Sequence, residues 1–235
     1  MQIRNRRTLI GAVAAGLVAL GAIAVALVYF VIFPSSSPQK LGLTAASSTP
    51  SATASGDPSA GPGTWTVTSG SQAGYRVREQ LAFVGAPSDA VGRTSSVNGT
   101  VTVTRAGSTD TVSAAKLTVD VSSLTSDQSM RDRRIKTMGL ESNRFPQATF
   151  DLTSPITLPP DAGNGQSFKV SATGELTIHG VTQTVTIPID ARLNGSQMEL
   201  AGAITFPFSQ FGMSPPNIGG FVSVQNNATI DRENS

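Results

Sequence analysis

The chain has 235 residues, with 17 Lys and Arg, 15 Asp and Glu, one histidine and no cysteine. Without cysteine there are no disulfides, no thiol-ligated zinc and no lipobox-type lipid anchor, and one histidine excludes a multi-histidine metal site. Three of the arginines precede residue 8, so the remainder carries 14 basic and 15 acidic residues and lacks the concentrated basic face of a nucleic-acid-binding protein.

Residues 9–33, LIGAVAAGLVALGAIAVALVYFVIF, carry no charge. Twenty-five helical residues span about 37 Å, enough to cross a hydrocarbon core of about 30 Å with some tilt. Arg4, Arg6 and Arg7 precede this run, and the next basic residue is Lys40. The positive-inside rule then makes residues 1–8 a cytoplasmic basic segment and residues 9–33 a single-pass transmembrane signal anchor in the cell membrane, with everything beyond it extracytoplasmic. A cleaved signal peptide is the competing reading. Its apolar region is normally about 7–15 residues, and FPSSSPQK offers no small-x-small cleavage site. Residues 34–62 turn to Ser, Thr, Ala, Pro and Gly, too poor in large apolar side chains to offset their ordering entropy. They read as a disordered stalk with a reach of roughly 30 Å.

The remaining segment, 63–235, is strand after strand. After GTWT, AGYRVREQLAF alternates through Tyr75, Val77, Leu81 and Phe83. SVNGTVTVTR follows with Val97, Val101 and Val103, then AKLTVDVSSL with Leu117, Val119 and Val121. TSDQSMRDRRIKTMGLESNRFP breaks the rhythm. Ser126 or Asp127 is placed to cap a short helix that buries Met130, Ile135 and Met138 before Gly139 ends it. The cluster Arg131, Arg133, Arg134, Lys136 and Arg144 reads as a solvated face partnered by Asp132 and Glu141; anionic lipid headgroups are its alternative partner. ATFDLTSPI then alternates through Phe150 and Leu152, and SFKVSATGELTI through Leu176 and Ile178.

His179 and Gly180 follow, and here turn and pattern agree. A two-residue loop at His179-Gly180 sets Ile178 opposite Val181, Leu176 opposite Gln183 and Gly174 opposite Val185, with apolar residues of both strands on one face. His179 therefore reads as a turn residue rather than a catalyst or ligand. Pro188 falls on the outward face and, lacking an N–H, predicts an irregular ladder. MELAGAITFPF with Ile204 and Phe206, then FVSVQNNATI, complete the chain. Eight or nine strands with turns between them give an all-β antiparallel barrel or sandwich with one short helix. Shared parity turns Tyr75, Val77, Leu117, Val119, Phe150, Leu152, Leu176, Ile178, Ile204 and Phe206 inward. There is no G-x-S-x-G elbow, phosphate-binding glycine loop or H-E-x-x-H, so no enzyme is expected.

An RD pair opening a short helix, then RFPQATFDL, GELTIHGVTQTV and an FGM turn, resembles the YceI-like family of lipid-binding, lipocalin-like domains. The resemblance covers about residues 63–233. It departs at RVREQLAF and Arg134, where the family often carries histidine, and at Phe208 and Gln210, where it often carries Arg and Asp. It implies an eight-stranded antiparallel barrel whose apolar interior holds a polyisoprenoid, such as an isoprenoid quinone. Tyr75, Val77, Leu81, Phe83, Leu117, Val119, Phe150, Leu152, Leu176, Ile178, Ile204 and Phe206 would then line the ligand. No metal and no cofactor beyond such a bound polyprenyl lipid is implied. The partners expected are membrane lipid or an isoprenoid ligand, and the membrane itself through the N-terminal helix. The alternatives are a solid β-barrel interaction module displayed on the envelope and, further off, a hydrolase using scattered Ser and Asp residues, which would lack a base.

Overall fold

The computed structural model describes residues 38–41, 43, 62–81, 84–194, 197–215 and 222–233, and of residues 80, 81, 84–88, 194 and 222–233 the backbone alone. The transmembrane segment expected at 9–33, most of the stalk at 34–62, and Phe83 lie outside the described residues. Among the described residues no helix is long and apolar enough to cross a membrane.

Among the described residues twelve strands form one antiparallel sheet. In chain order they are β1 (Gly63–Thr66), β2 (Gln72–Leu81), β3 (Val84–Thr94), β4 (Val97–Ala106), β5 (Thr109–Asp120), β6 (Thr125–Ser126), β7 (Gln147–Leu152), β8 (Ile156–Thr157), β9 (Ser167–Ile178), β10 (Val181–Asn194), β11 (Gln197–Pro207) and β12 (Val222–Glu233). The ladders run β1-β4-β5-β7-β9-β10-β11-β12-β2-β3-β6, with β8 on β5. Among the described residues, one short helix, α1 (Ser129–Ile135), and 3-10 turns at Val121–Ser123 and Phe208–Phe211 complete the fold.

The expected all-β antiparallel architecture with little helix is present, and no ladder among the described residues joins the β3–β6 end of the sheet to the β1–β4 end. The sheet nevertheless curls on itself. Val77 of β2, Phe150 of β7, Leu176 of β9 and Phe206 of β11 belong to one buried cluster. Strand β3 has no counterpart in the sequence reading. Its segment VGAPSDAVGRT carries two glycines and a proline and does not alternate. Such a strand survives near a sheet edge, where β3 pairs on its far side with only two residues of β6.

The β9–β10 hairpin has the expected register, with Ile178 opposite Val181, Leu176 opposite Gln183 and Gly174 opposite Val185. His179 and Gly180 take φ of 54° and 73°, the left-handed pair a two-residue turn requires. His179 is more than a turn residue. Its ring packs on Phe145 with centroids 4.5 Å apart, and Nε2 lies 3.4 Å from Glu141.

Pro188 does not disturb the pairing with β9, which runs unbroken from Val181 to Arg192. Counting outward from the turn, Pro188 and Ser171 form a non-hydrogen-bonded pair, so the missing N–H would have pointed toward β11. The β10–β11 ladder begins only at Ile189 opposite Gly202, so Pro188 stands where no ladder bond is needed. The expected irregularity becomes the end of a ladder.

Candidate functional site

Inside the curl lie two apolar cavities. The first, about 130 Å³, is walled by Tyr75, Val77, Val119, Ile178 and Phe206, with Leu124, Leu140, Phe208 and Met213 closing around them. The second, about 170 Å³, is walled by Leu117, Val119, Phe150, Leu152, Leu176 and Ile204, together with Phe168, Ile187, Ile189, Met198 and Leu200. Ala73, Val119 and Ala148 belong to both walls, so the cavities meet at a waist made mostly of small side chains. All ten residues given inward parity by the sequence thus border one cavity or both. Leu81 belongs to β2 by its backbone, and its side chain is not among those described.

Close approach explains why the interior is open yet ordered. On the inward face, Gly92 stands opposite Tyr75, and a Cβ at Gly92 would lie 2.2 Å from the tyrosine ring. A Cβ at Gly174 would lie 2.6 Å from the Phe150 ring. In each case a large side chain lies across a neighbouring glycine, which fixes the ring against the wall. Apolar cavities of this order stay dry and accept apolar guests.

Strand parity misses some of the wall because of a bulge. Thr102 pairs with Ala114 and Val103 with Val112, so Ser113 is an extra residue. Val112, of even number, thereby faces the same cavity as Ala115 and Leu117.

The first cavity alone has a charged rim. Arg131 of α1 reaches Glu79 of β2 through two hydrogen bonds, 3.1 and 3.0 Å, and its other arm reaches Asp127 at 2.5 Å. Burial works against the charge on Arg131, but the hydrogen bonds and charges of Glu79 and Asp127 outweigh it and hold its pKa above the ordinary arginine value. This corrects the expectation of a solvated cluster, since Arg131 turns inward. Asp132 is taken by Ser126, whose backbone N–H and hydroxyl both donate to it, at 2.9 and 2.6 Å. The Tyr75 hydroxyl is buried without a hydrogen-bond partner, and burial pushes its pKa up.

The helix expectation needs a second correction. The residue preceding α1 is Gln128, and no side chain caps the helix. Ile135 and Met138 border the first cavity, but Met138 is 46% exposed and Met130 58%. In the FGM turn Phe211 and Met213 are buried, Phe211 fully enclosed against Phe206 with ring centroids 4.6 Å apart, while Gly212 is exposed and takes φ of 64°. Glu199 of β11 is buried opposite Arg192 of β10 and bonded to it at 2.5 Å. Among the described residues no group of three or more His, Asp or Glu is placed to hold a metal ion.

Comparison with known proteins matches residues 65–233 to the YceI-like domain. Two curated relatives, UPF0312 proteins of Vibrio campbellii and Vibrio parahaemolyticus, are 37% identical over 76 residues. That match spans 32% of this chain and about a third (36%) of the relatives' length. Among solved structures, a polyisoprenoid binding domain from Saccharophagus degradans, implicated in plant cell wall breakdown, is similar with a TM-score of 0.53 at 13% identity. It covers 74% of this chain and 97% of that one, and shows the fold shared. Burkholderia cenocepacia BcnA has a TM-score of 0.49 at 22% identity, covering 68% of this chain and 94% of that one.

Proposed function

Because the chain belongs to the YceI-like domain family, we propose that it binds a polyisoprenoid or similar lipid, for example an isoprenoid quinone, inside its curled sheet. It acts there as carrier or store, not as an enzyme. The observation that carries this is the pair of apolar cavities meeting at Ala73, Val119 and Ala148. Their joined length suits a flexible hydrocarbon chain better than a compact polar molecule, since the walls offer almost no hydrogen-bonding groups. A solved domain of the same fold is described as polyisoprenoid binding, which supports the ligand class. A solid interaction module would have filled this interior with its own side chains.

The energetics fit a carrier. Each methylene withdrawn from water gains about 0.8 kcal/mol. A chain leaving a bilayer gains none of this, because lipid tails are as apolar as leucine. Uptake from and return to a membrane are therefore close to balanced, while loss to water is strongly opposed. The proposal includes the N-terminal segment 9–33 as a single-pass anchor, with the lipid-binding domain outside the cytoplasm and held near the bilayer by the stalk. Organic extraction of the full chain purified from membranes, followed by mass spectrometry, tests the function. A prenyl lipid at about one per chain supports it. Protein free of lipid whose interior also fails to take up an added polyprenyl quinone overturns it.

A further inference from the structure

Helix α1 divides its side chains by spacing. Arg131, Ile135 and Met138, at i, i+4 and i+7, border the first cavity. Met130, Arg133 and Arg134, at i, i+3 and i+4, lie on a second stripe of α1 that borders neither cavity, and the exposed Thr137 follows in the turn after the helix. That outer stripe is not an ordinary polar helix face. Met130 is 58% exposed, and Met138, at the junction of stripe and cavity, is 46% exposed. Arg133, Arg134 and Lys136 enter no ion pair among the described residues. The acids close by are occupied: Glu79 and Asp127 by Arg131, Asp132 by Ser126, and Glu141 by Arg144 at 3.9 Å and His179 at 3.4 Å. Unpaired cations and exposed methionines therefore lie beside the part of the first cavity's wall formed by Arg131, Ile135 and Met138.

We infer that α1 and the turn after it, residues 129–138, dock on an anionic bilayer surface. Arg133, Arg134 and Lys136 meet the headgroups, while Met130 and Met138 enter the interfacial layer beside the same wall. Charge complementarity selects this occupant. A neutral surface gives the cations nothing in exchange for their hydration, whereas each Lys or Arg near an anionic leaflet contributes about 1 kcal/mol, roughly a fivefold change in docked population. Docking in this orientation sets this side of the cavity against the bilayer, so a hydrocarbon chain passes between the two without crossing water. This use of the surface rests on the lipid-binding reading; the docking itself does not.

The chain has no cysteine, so Thr137→Cys carrying an environment-sensitive fluorophore gives a unique label at an exposed position in the turn after α1. Ser108→Cys, in the β4–β5 turn at the far end of β5, is the control. The full chain is reconstituted into phosphatidylcholine vesicles with and without phosphatidylglycerol, and quenching by doxyl-labelled phosphatidylcholine is read. Docking predicts quenching at 137 that requires the anionic lipid, weakens in high salt, and is absent at 108. Replacing Arg133, Arg134 and Lys136 by Gln lowers the docked-to-undocked ratio by about fivefold per residue. Quenching at 137 equal in neutral vesicles, or matched at 108, overturns the docking, because it then comes from lipid in the cavity or from non-specific contact. Absence of quenching in a protein that still carries extractable lipid overturns the docking and leaves the lipid-binding reading intact. Quenching that follows the charges in a protein without extractable lipid supports the docking and counts against the lipid-binding reading alone.

Discussion

Ala148→Phe probes the waist between the cavities. Ala148 of β7 pairs with Val119 of β5, is only 8% exposed, and borders both cavities. In a filled core, a phenyl ring added here would overpack and cost about 1–3 kcal/mol. In this molecule the ring has about 130 Å³ on one side and about 170 Å³ on the other. An apolar cavity of about 150 Å³ accommodates benzene, so one ring fits without moving backbone. It would bury about 100 Å² of apolar surface, worth roughly 2.5 kcal/mol, against a side-chain entropy loss of about 0.5–1 kcal/mol. Allowing for imperfect packing, the lipid-free variant should be as stable as the parent or up to about 2 kcal/mol more stable. A hydrocarbon chain, by contrast, can no longer thread from one cavity to the other. Urea unfolding of delipidated protein gives the first quantity, and mass spectrometry of the extracted lipid gives the second. The variant should carry less lipid, or a prenyl species with fewer isoprene units. Destabilisation by about 1–3 kcal/mol or more would show that the waist is already full. Unchanged stability with unchanged lipid content and chain length would show that the ligand does not pass the waist.

Tyr75→Phe removes a buried hydroxyl that has no partner, so unfolding should show unchanged stability or a gain of up to about 1 kcal/mol; a loss above that would mean the phenol is paired. At the hairpin, Gly180→Val should lower the melting temperature sharply, because φ is 73° and a Cβ would meet the Phe145 ring at 2.7 Å. His179→Asn keeps a residue tolerant of the left-handed region and should lose the contacts with Phe145 and Glu141, on the order of 1 kcal/mol. Asp89 is pushed up by burial but held below its ordinary 3.8 by hydrogen bonds from Arg78 and Arg76. Its contribution is therefore present above that value and lost as pH falls through the lower folded one. Asp89→Asn should flatten the acid limb of the stability profile and, with solvent screening, cost no more than about 1 kcal/mol at neutral pH.

Alternation carried the inner wall well, because Thr, Asp and Lys take the opposite parity on β5, β7 and β9. It failed where one residue changes the count. Ser113 is extra in the β4–β5 ladder and brings Val112 inside, and nothing in TDTVSAAKL announces a bulge. Strand β3 was missed because its ladder with β2 depends on backbone pairing, not on a hydrophobic stripe. On α1 the apolar residues were assigned to the core by type. Tertiary packing instead turned Arg131 inward, where Glu79, 52 residues away, neutralises it, and left Met130 outside. A partner so distant leaves no trace in local spacing. The hairpin at His179-Gly180 was legible because turn chemistry and strand parity are both local, and they agreed.

A polyprenyl analogue bearing a photoreactive diazirine on its chain, incubated with the full protein and irradiated, locates the ligand directly. Peptide mapping should place the adducts on inward residues of both cavities, such as Val119, Phe150, Leu176 and Ile178, and excess unlabelled polyprenyl quinone should suppress them. Adducts confined to residues 1–62 or to outward positions of the strands, unaffected by competitor, would contradict a lipid held inside the sheet.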